Sequence, residues 1–406
     1  MISAAMLAKN EAKNIENCLK SIKPFVTEII LVDTGSTDNT VEIARKYTDK
    51  IYHEPWRNDF GWHRNHSFGL CTQPWILVID PDEEFITDNS MNPEKLWNHL
   101  RNNAEGIDAI GLEAIDYRPS SKRVAARFDS LRFFRNGAVT WHRRVHNQPE
   151  FKGKAVLLKN AQILHCGYDL TLEQRQAKAN RTISLLKLTL EENPNDYESM
   201  FYLAQAYGAF LDDRENALLW GERYIGHRSE IAEKFNTSIY HLVAAICAQK
   251  KLEDKCYEYI ERGLNEDPWD IDLLMDMMQY ALRKNDRTVL VTAAQKFILC
   301  YDNFSQYRFK HPGKFFFNYN LSSYSSALFY ASTNMIENGA SIYRRLQETT
   351  PKLPPDAKKE IEQKFNELLD KINFRDLSPI AVVAPSAASP ALPAYQIPQN
   401  LELPAL

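Results

Sequence analysis

Asp80-Pro81-Asp82-Glu83-Glu84 follows directly on an apolar run, Trp75-Ile76-Leu77-Val78-Ile79. So many carboxylates at the mouth of a buried strand repel one another unless a cation lies among them. Hard oxygen donors of this kind suit Mg²⁺ or Mn²⁺, with coordination positions left over for phosphates. A second acidic strand end lies 47 residues upstream, where Glu28-Ile29-Ile30-Leu31-Val32 runs into Asp33. Two parallel strands ending in Asp at one sheet edge describe a crevice for a nucleotide and a metal. Each group has a plainer reading by itself: Asp33 as a helix cap, residues 80–84 as an acidic loop. Their occurrence in order with Asn10, Glu11 and Arg64 favours chemistry.

The elements that must position these groups alternate. Ile2–Leu7 reads as a strand, and Ile15, Leu19 and Ile22 phase a helix. Glu28–Val32 is the next strand; the cap-rich Gly35-Ser36-Thr37-Asp38-Asn39 then opens a helix carrying Val41, Ala44 and Tyr47. Strand 50–56, helix 61–71 and strand 75–79 complete an alternation that implies parallel strands with crossover helices. Between about 107 and 168 the pattern turns to strands (110–115, 130–135, 138–145 and 155–165), which makes the sheet mixed. This strand-rich stretch also holds His142 and His146, spaced for one face of a strand rather than for a helical metal pair, and His165, which ends the sheet and reads as a structural hydrogen-bonding residue before a catalytic one.

From Thr171 the chain reads as helical. Thr171 and Gln174 form a capping box, and Ala179, Ile183, Leu186 and Leu190 line one face of a connecting helix within 169–195. Pro194 and Pro268 mark two similar helix ends 74 residues apart, about twice the ~34-residue period of a helix-turn-helix repeat. Leu203, Ala206, Tyr207, Ala217 and Tyr224 sit where a tetratricopeptide repeat places its packing residues. Residues 196–350 are therefore expected to form a short solenoid and 351–377 to hold a terminal helix. Residues 301–330 contain 11 aromatics, among them Phe315, Phe316 and Phe317. They read as interhelical packing, or as a platform for an acceptor peptide or a second subunit. In 378–406, 13 of 29 residues are Ala or Pro, the composition of a disordered tail.

Bulk properties exclude several classes. At 406 residues and a net charge of −4, the chain shows no basic domain of a nucleic-acid binder. Its six cysteines are scattered without a CxxC pair, which argues against a zinc site or a disulfide framework and for a reducing compartment. No signal peptide or membrane span is visible, so the cytoplasm is the expected location. Neither GxGxxG nor GxxxxGK[ST] occurs where a dinucleotide or P-loop site needs it.

The assembled motifs resemble family 2 glycosyltransferases of the GT-A fold. Lys9-Asn10-Glu11-Ala12-Lys13-Asn14-Ile15, Val32-Asp33-Thr34-Gly35-Ser36-Thr37-Asp38-Asn39-Thr40, Arg64-Asn65 and Asp80-Pro81-Asp82-Glu83 follow that family's order over residues 1–168. With its trailing repeats the chain is similar to bacterial transferases that modify peptide side chains, and in its first domain to lipopolysaccharide-core transferases. The resemblance implies that Asp33 accepts a hydrogen bond from the uracil of a UDP-sugar, while Asn10 and Glu11 border the base and ribose. Arg64 would add positive charge near the nucleotide, Asp80 would contact the ribose or the metal's water shell, and Asp82 would ligate Mn²⁺ or Mg²⁺. It also implies inversion by one in-line displacement, helped by a base.

At the base the chain departs from the family. Related chains read Val-His-Glu where this one has Val145-His146-Asn147, and asparagine takes no proton. His146, Asp116, Asp129 and Glu150 are the substitutes, and a thiol acceptor, with an unperturbed pKa of about 8.5, would need little help. The leading expectation is a metal-dependent transferase acting from a UDP-sugar on a protein or peptide side chain, with a homodimer through the repeats as a further expectation. A saccharide or glycolipid-core acceptor, or a non-catalytic nucleotide-binding scaffold, are the competing readings.

Overall fold

The computed structural model describes residues 1–88, 90–102, 106–121, 123–167, 170–231, 237–303, 321–333 and 339–371. Phe315–Phe317 and the 378–406 tail lie outside the described residues. Strand β1 (Ile2–Ala8) is the centre of the first half, buried along nearly its whole length. It pairs in parallel with β2 (Glu28–Asp33) on one side and β4 (Trp75–Val78) on the other. Helices α1 (Ile15–Ile22), α2 (Thr40–Ala44) and α3 (Phe60–Gly69) make the crossovers, and β3 (Ile51–His53) closes one edge. Strand β7 (Arg123–Arg135) joins β4 antiparallel, followed by β6 (Ile107–Arg118), β10 (Lys154–His165) and β5 (Glu83–Thr87). The expected mixed sheet is present, with eight strands in the order β3-β2-β1-β4-β7-β6-β10-β5.

Three stretches depart from the sequence reading. Glu83 and Glu84, read as the end of an acidic loop, open β5, and Pro93–Asn102 forms α4, whose Leu96 and Leu100 are fully buried. The stretch 138–145 is not one strand. Only β8 (Thr140–His142) forms, pairing with β9 (Gln148–Glu150) in a separate two-stranded hairpin. Positive φ at Arg143 (77°) and His146 (50°) turns the chain out of the extended conformation between them.

The curl of the sheet decides where the acidic run lies. Strand β5 is last in hydrogen-bond order, yet only residues 79–82 separate it from β4. The sheet bends round until its last strand returns beside its fourth, and Asp80-Pro81-Asp82 bridges the seam. Apolar layers cover both faces. Leu19, Leu31, Leu77 and Leu112 lie on the α1 and α4 side, and Ile30, Val32, Phe68 and Phe134 on the α3 side.

Helix α5 (Leu172–Glu192) starts at the expected capping box, with Thr171 and Gln174 exchanging both bonds. Antiparallel pairs follow: α6 (Tyr197–Gln205) with α7 (Arg214–Gly226), α8 (Ser238–Gln249) with α9 (Glu253–Glu266), and α10 (Ile271–Lys284) with α11 (Arg287–Asp302). Asp196 and Asp270, each two residues after its proline, cap α6 and α10, so the two proline motifs occupy equivalent places. Helices α12 (Leu321–Ser332), α13 (Gly339–Thr349) and α14 (Pro355–Lys371) complete the described chain. One apolar core runs through these pairs, from Leu186 and Leu203 through Tyr240, Ile260 and Phe297 to Leu328.

Candidate functional site

The carboxyl ends of β1, β2 and β4 meet where β1 lies between the other two, the switch point at which open α/β sheets bind ligands. Asn10 leaves β1 with φ 57°, and its Oδ1 accepts from the backbone N–H of Thr37 (2.7 Å) while its own N–H donates to Ser36 Oγ (3.0 Å). This ties the end of β1 to the turn after β2. Glu11 donates its N–H to Thr40 Oγ1 (2.7 Å) and accepts from Asn14 Nδ2 (3.0 Å). Burial raises its carboxyl pKa, with Asp82, Asp80 and Asp38 adding to the effect.

Asp33 ends β2 almost buried, accepting from the Ser36 N–H (3.0 Å) on one oxygen and facing His53 Nδ1 (3.1 Å) with the other. Burial opposes the charge, but the bonds from Ser36 and His53 hold the carboxyl below its usual range. Each oxygen keeps a further lone pair. Asp80 Oδ1 is held by Arg64 Nη2 (2.7 Å). Burial opposes ionisation here too, and Arg64 and Arg132 outweigh it, so its pKa falls. The Arg64 side chain is only 11% exposed and gives Asp80 its Nη2, while its Nε and Nη1 are buried without a hydrogen-bond partner.

The acidic run is not a single cluster. Glu83, buried, receives both prongs of Arg132 (2.9 and 2.6 Å) and the N–H of Asp80 (2.9 Å). A guanidinium thus answers the charge at Glu83, which leaves Asp80 and Asp82 as the carboxylates of the run not held in that ion pair. Asp82 lies beside His165, whose Nε2 is 3.5 Å from its Oδ2, while His165 Nδ1 meets Asp116 Oδ1 at 2.6 Å. Burial works against protonation of His165, yet Asp116 and Asp82 raise it to about 10. Strand register accounts for the arrangement: His165 sits across from Asp116 on one side and Glu83 on the other. Past it, the chain presses so close that a β carbon at Gly167 would fall 1.7 Å from Asp82 Oδ2. Lys178 on α5 is within electrostatic reach of Asp82, Asp80 and Glu11, and burial lowers its pKa.

The candidate bases separate. Asp116 alone is joined to Asp82, through His165. Asp129, exposed, faces Glu113 across the β6–β7 ladder and so projects from the opposite sheet face to Asp116. Glu150 pairs with His142 on the β8–β9 hairpin (2.7 Å). His146 stacks flat on Tyr202 of α6, with ring centres 3.7 Å apart, and burial with nearby Arg143 lowers it to about 4. At Asn147, the amide nitrogen is buried without a hydrogen-bond partner.

The donor set suits a hard cation. Asp82 and the second oxygen of Asp80 present carboxylate oxygens, and no group of three or more His, Cys, Asp or Glu among the described residues forms a ready-made cage. Mg²⁺ and Mn²⁺ are held in this way, by one or two carboxylates with phosphate oxygens and water supplying the rest. Sequence reading missed His53, Arg132 and Lys178, and took His165 for a structural hydrogen-bonding residue at the end of the sheet. Only His165 had a visible signal, its place at the end of a strand pattern.

The model of the family described as Glycosyl transferase family 2 matches residues 3–170. Over 253 residues the chain is 27% identical to the SPbeta prophage-derived glycosyltransferase SunS of Bacillus subtilis, covering 60% of this chain and 57% of SunS. A TPR repeat-containing protein of Synechococcus elongatus is 29% identical over 257 residues, covering 59% of this chain and 60% of its own. The chain thus spans somewhat more than half the length of each relative. Among solved structures, glucosyl-3-phosphoglycerate synthase from Mycobacterium tuberculosis, in complex with Mn²⁺ and UDP-glucose, overlaps 29% of this chain and 43% of its own. That overlap is 24% identical with a TM-score of 0.23, too partial to bear on the site. No helix among the described residues is long and apolar enough to cross a membrane.

Proposed function

We propose that the protein is a metal-dependent, inverting glycosyltransferase that moves a sugar from a UDP-sugar to a protein or peptide side chain. The observation that carries this reading is Asp80-Pro81-Asp82 bridging the seam of the curled sheet, with Asp33 at the neighbouring strand end, inside a family 2 domain. Asp33 would accept from the uracil through a remaining lone pair, and Asn10 and Glu11 would border base and ribose. Asp80, fixed by Arg64, and Asp82, confined by Gly167 and His165, would hold Mn²⁺ or Mg²⁺. A cation there neutralises charge on a departing UDP. Asp116 is the base candidate best placed to take the acceptor's proton. Helix pairs of this stacked kind present a surface suited to extended peptides, which motivates the acceptor class.

The test is UDP release from a panel of UDP-sugars with Mn²⁺, Mg²⁺ or EDTA, on the wild type and on Asp82→Ala. Release that needs metal, and falls about a hundredfold or more in the variant while its unfolding temperature holds, is the expected result. Full activity of Asp82→Ala would remove the metal assignment.

A further inference from the structure

A cavity of about 550 Å³ lies where the β8–β9 hairpin meets α6, walled by His142, Arg143, Gln148, Glu150 and Phe151 on one side and by Glu198 on the other. Its charge is unbalanced. The Arg143 guanidinium is shared between Asp196 (3.2 and 2.8 Å) and Glu198 (2.7 Å), one cation against two carboxylates. Glu150 meets a half-exposed imidazole, and its side chain is 77% exposed. Arg144, the next cation along, is occupied by Glu192. The cavity therefore offers acidic heads at the rim, and Phe151 gives it an apolar wall.

Its position relative to the carboxylates follows from one helix. Phe60 and Gly61 N–H donate to the carbonyls of Arg144 (2.8 Å) and Arg143 (3.2 Å), so the hairpin sits on the first turn of α3. Arg64, three residues on, holds Asp80 at 2.7 Å. The same helix thus carries, at its first turn, the bonds that seat the hairpin and, three residues on, the side chain that holds Asp80.

We propose that this cavity is an acceptor subsite that takes a Lys or Arg side chain flanking the modified residue of a peptide. The proposal rests on the transferase reading above and narrows its acceptor class. The stem of such a side chain would lie along Phe151, and its head would bond Glu150 and Glu198, carboxylates whose present partners leave excess negative charge. A saccharide acceptor without a free amino group has no such cation to offer.

Two pools of fluorescein-labelled random decapeptides around a central Ser, Thr or Cys test it on the full chain by fluorescence anisotropy. One pool carries Lys and Arg but no acidic residue, and the other carries Asp and Glu but no basic one. The basic pool is expected to bind at least tenfold more tightly. Glu150→Gln/Glu198→Gln is expected to erase that preference, and Glu150→Lys/Glu198→Lys to invert it. Equal binding of the pools by the wild type, or a preference surviving in the Gln variant, overturns the proposal. UDP binding, read by thermal shift on the same samples, reports the donor site separately. Its absence with the peptide preference intact overturns the transferase reading and not the cavity.

Discussion

Gly167 is where a single added methyl group should matter most. Gly167→Ala must displace either the backbone after β10 or the Asp82 carboxylate, since its β carbon would overlap Oδ2. Metal-stimulated UDP release is expected to collapse while the unfolding temperature moves by only a few degrees; the pair of readings, kinetic and thermal, checks it. Arg132 should behave in the opposite way. Arg132→Met leaves the Glu83 carboxylate buried without its guanidinium, which costs about 3–5 kcal/mol of stability. Glu83→Gln in the same chain should recover much of it in urea titrations. The residues legible from sequence were Asp33, Asp80 and Asp82, because an acid straight after an apolar run marks a strand's carboxyl end. Glu83 belongs to the same run, but its partner Arg132 lies 49 residues away, and nothing local separates a ligand from a buried ion pair. His53 and Lys178 escaped, and the two carboxylate partners of His165 could not be foreseen, because strand register and the path of α5 bring these groups in.

Between elements, the helical half is tied by groups that sequence patterning cannot rank. Gly263 on α9 lies so close to α8 and α10 that a β carbon would meet Leu273 Cδ1 at 2.5 Å and Tyr240 Cβ at 2.9 Å. His241 of α8 faces Asp276 of α10 at 2.5 Å. Burial opposes the imidazolium, but Asp276, with Asp272 and Asp270 behind it, raises His241 to about 9. A raised pKa in the folded state means that the stabilisation is complete below about 6.5 and is lost as pH rises towards 9. Burial also raises Asp276, and a carboxyl shifted upward likewise costs stability as pH rises. The unfolding temperature should therefore fall between pH 6.5 and 9, with His241 contributing the equivalent of at most about 3 kcal/mol and His165, raised to about 10, adding in the same direction; His241→Gln should remove its share of that slope. Helix pairing itself was readable, since Asp196 and Asp270 stand at fixed offsets from Pro194 and Pro268. Strand β5 and the broken 138–145 segment were not, because sheet curl and two positive φ angles leave no periodicity behind.

Across the whole molecule, the two halves share a core. Val145 belongs to the apolar cluster of the helix pairs, and Trp56 and Phe60 pack against it. Arg143 spans the same boundary through Asp196 and Ser199. A chain cut at residue 168 would expose these groups, and it is expected to aggregate or unfold at a temperature at which residues 1–371 remain folded. Circular dichroism on both proteins measures this, and an equally stable fragment would show the halves to be independent. Mixed sheet and helical repeats were each apparent from the sequence, but their junction was not, since the residues that make it lie in a hairpin whose composition resembles any other loop.

The β8–β9 hairpin is encoded within the first half and packs as part of the second. Anyone recombining such proteins, giving this first half another relative's repeats, would naturally splice between Gly167 and Thr171. That crossover would strand Arg143 opposite a foreign helix and leave the first turn of α3 held by a misfitted hairpin. Productive hybrids should arise only where residues 140–151 travel with the helices they touch, so that the unit of inheritance here is discontinuous along the chain.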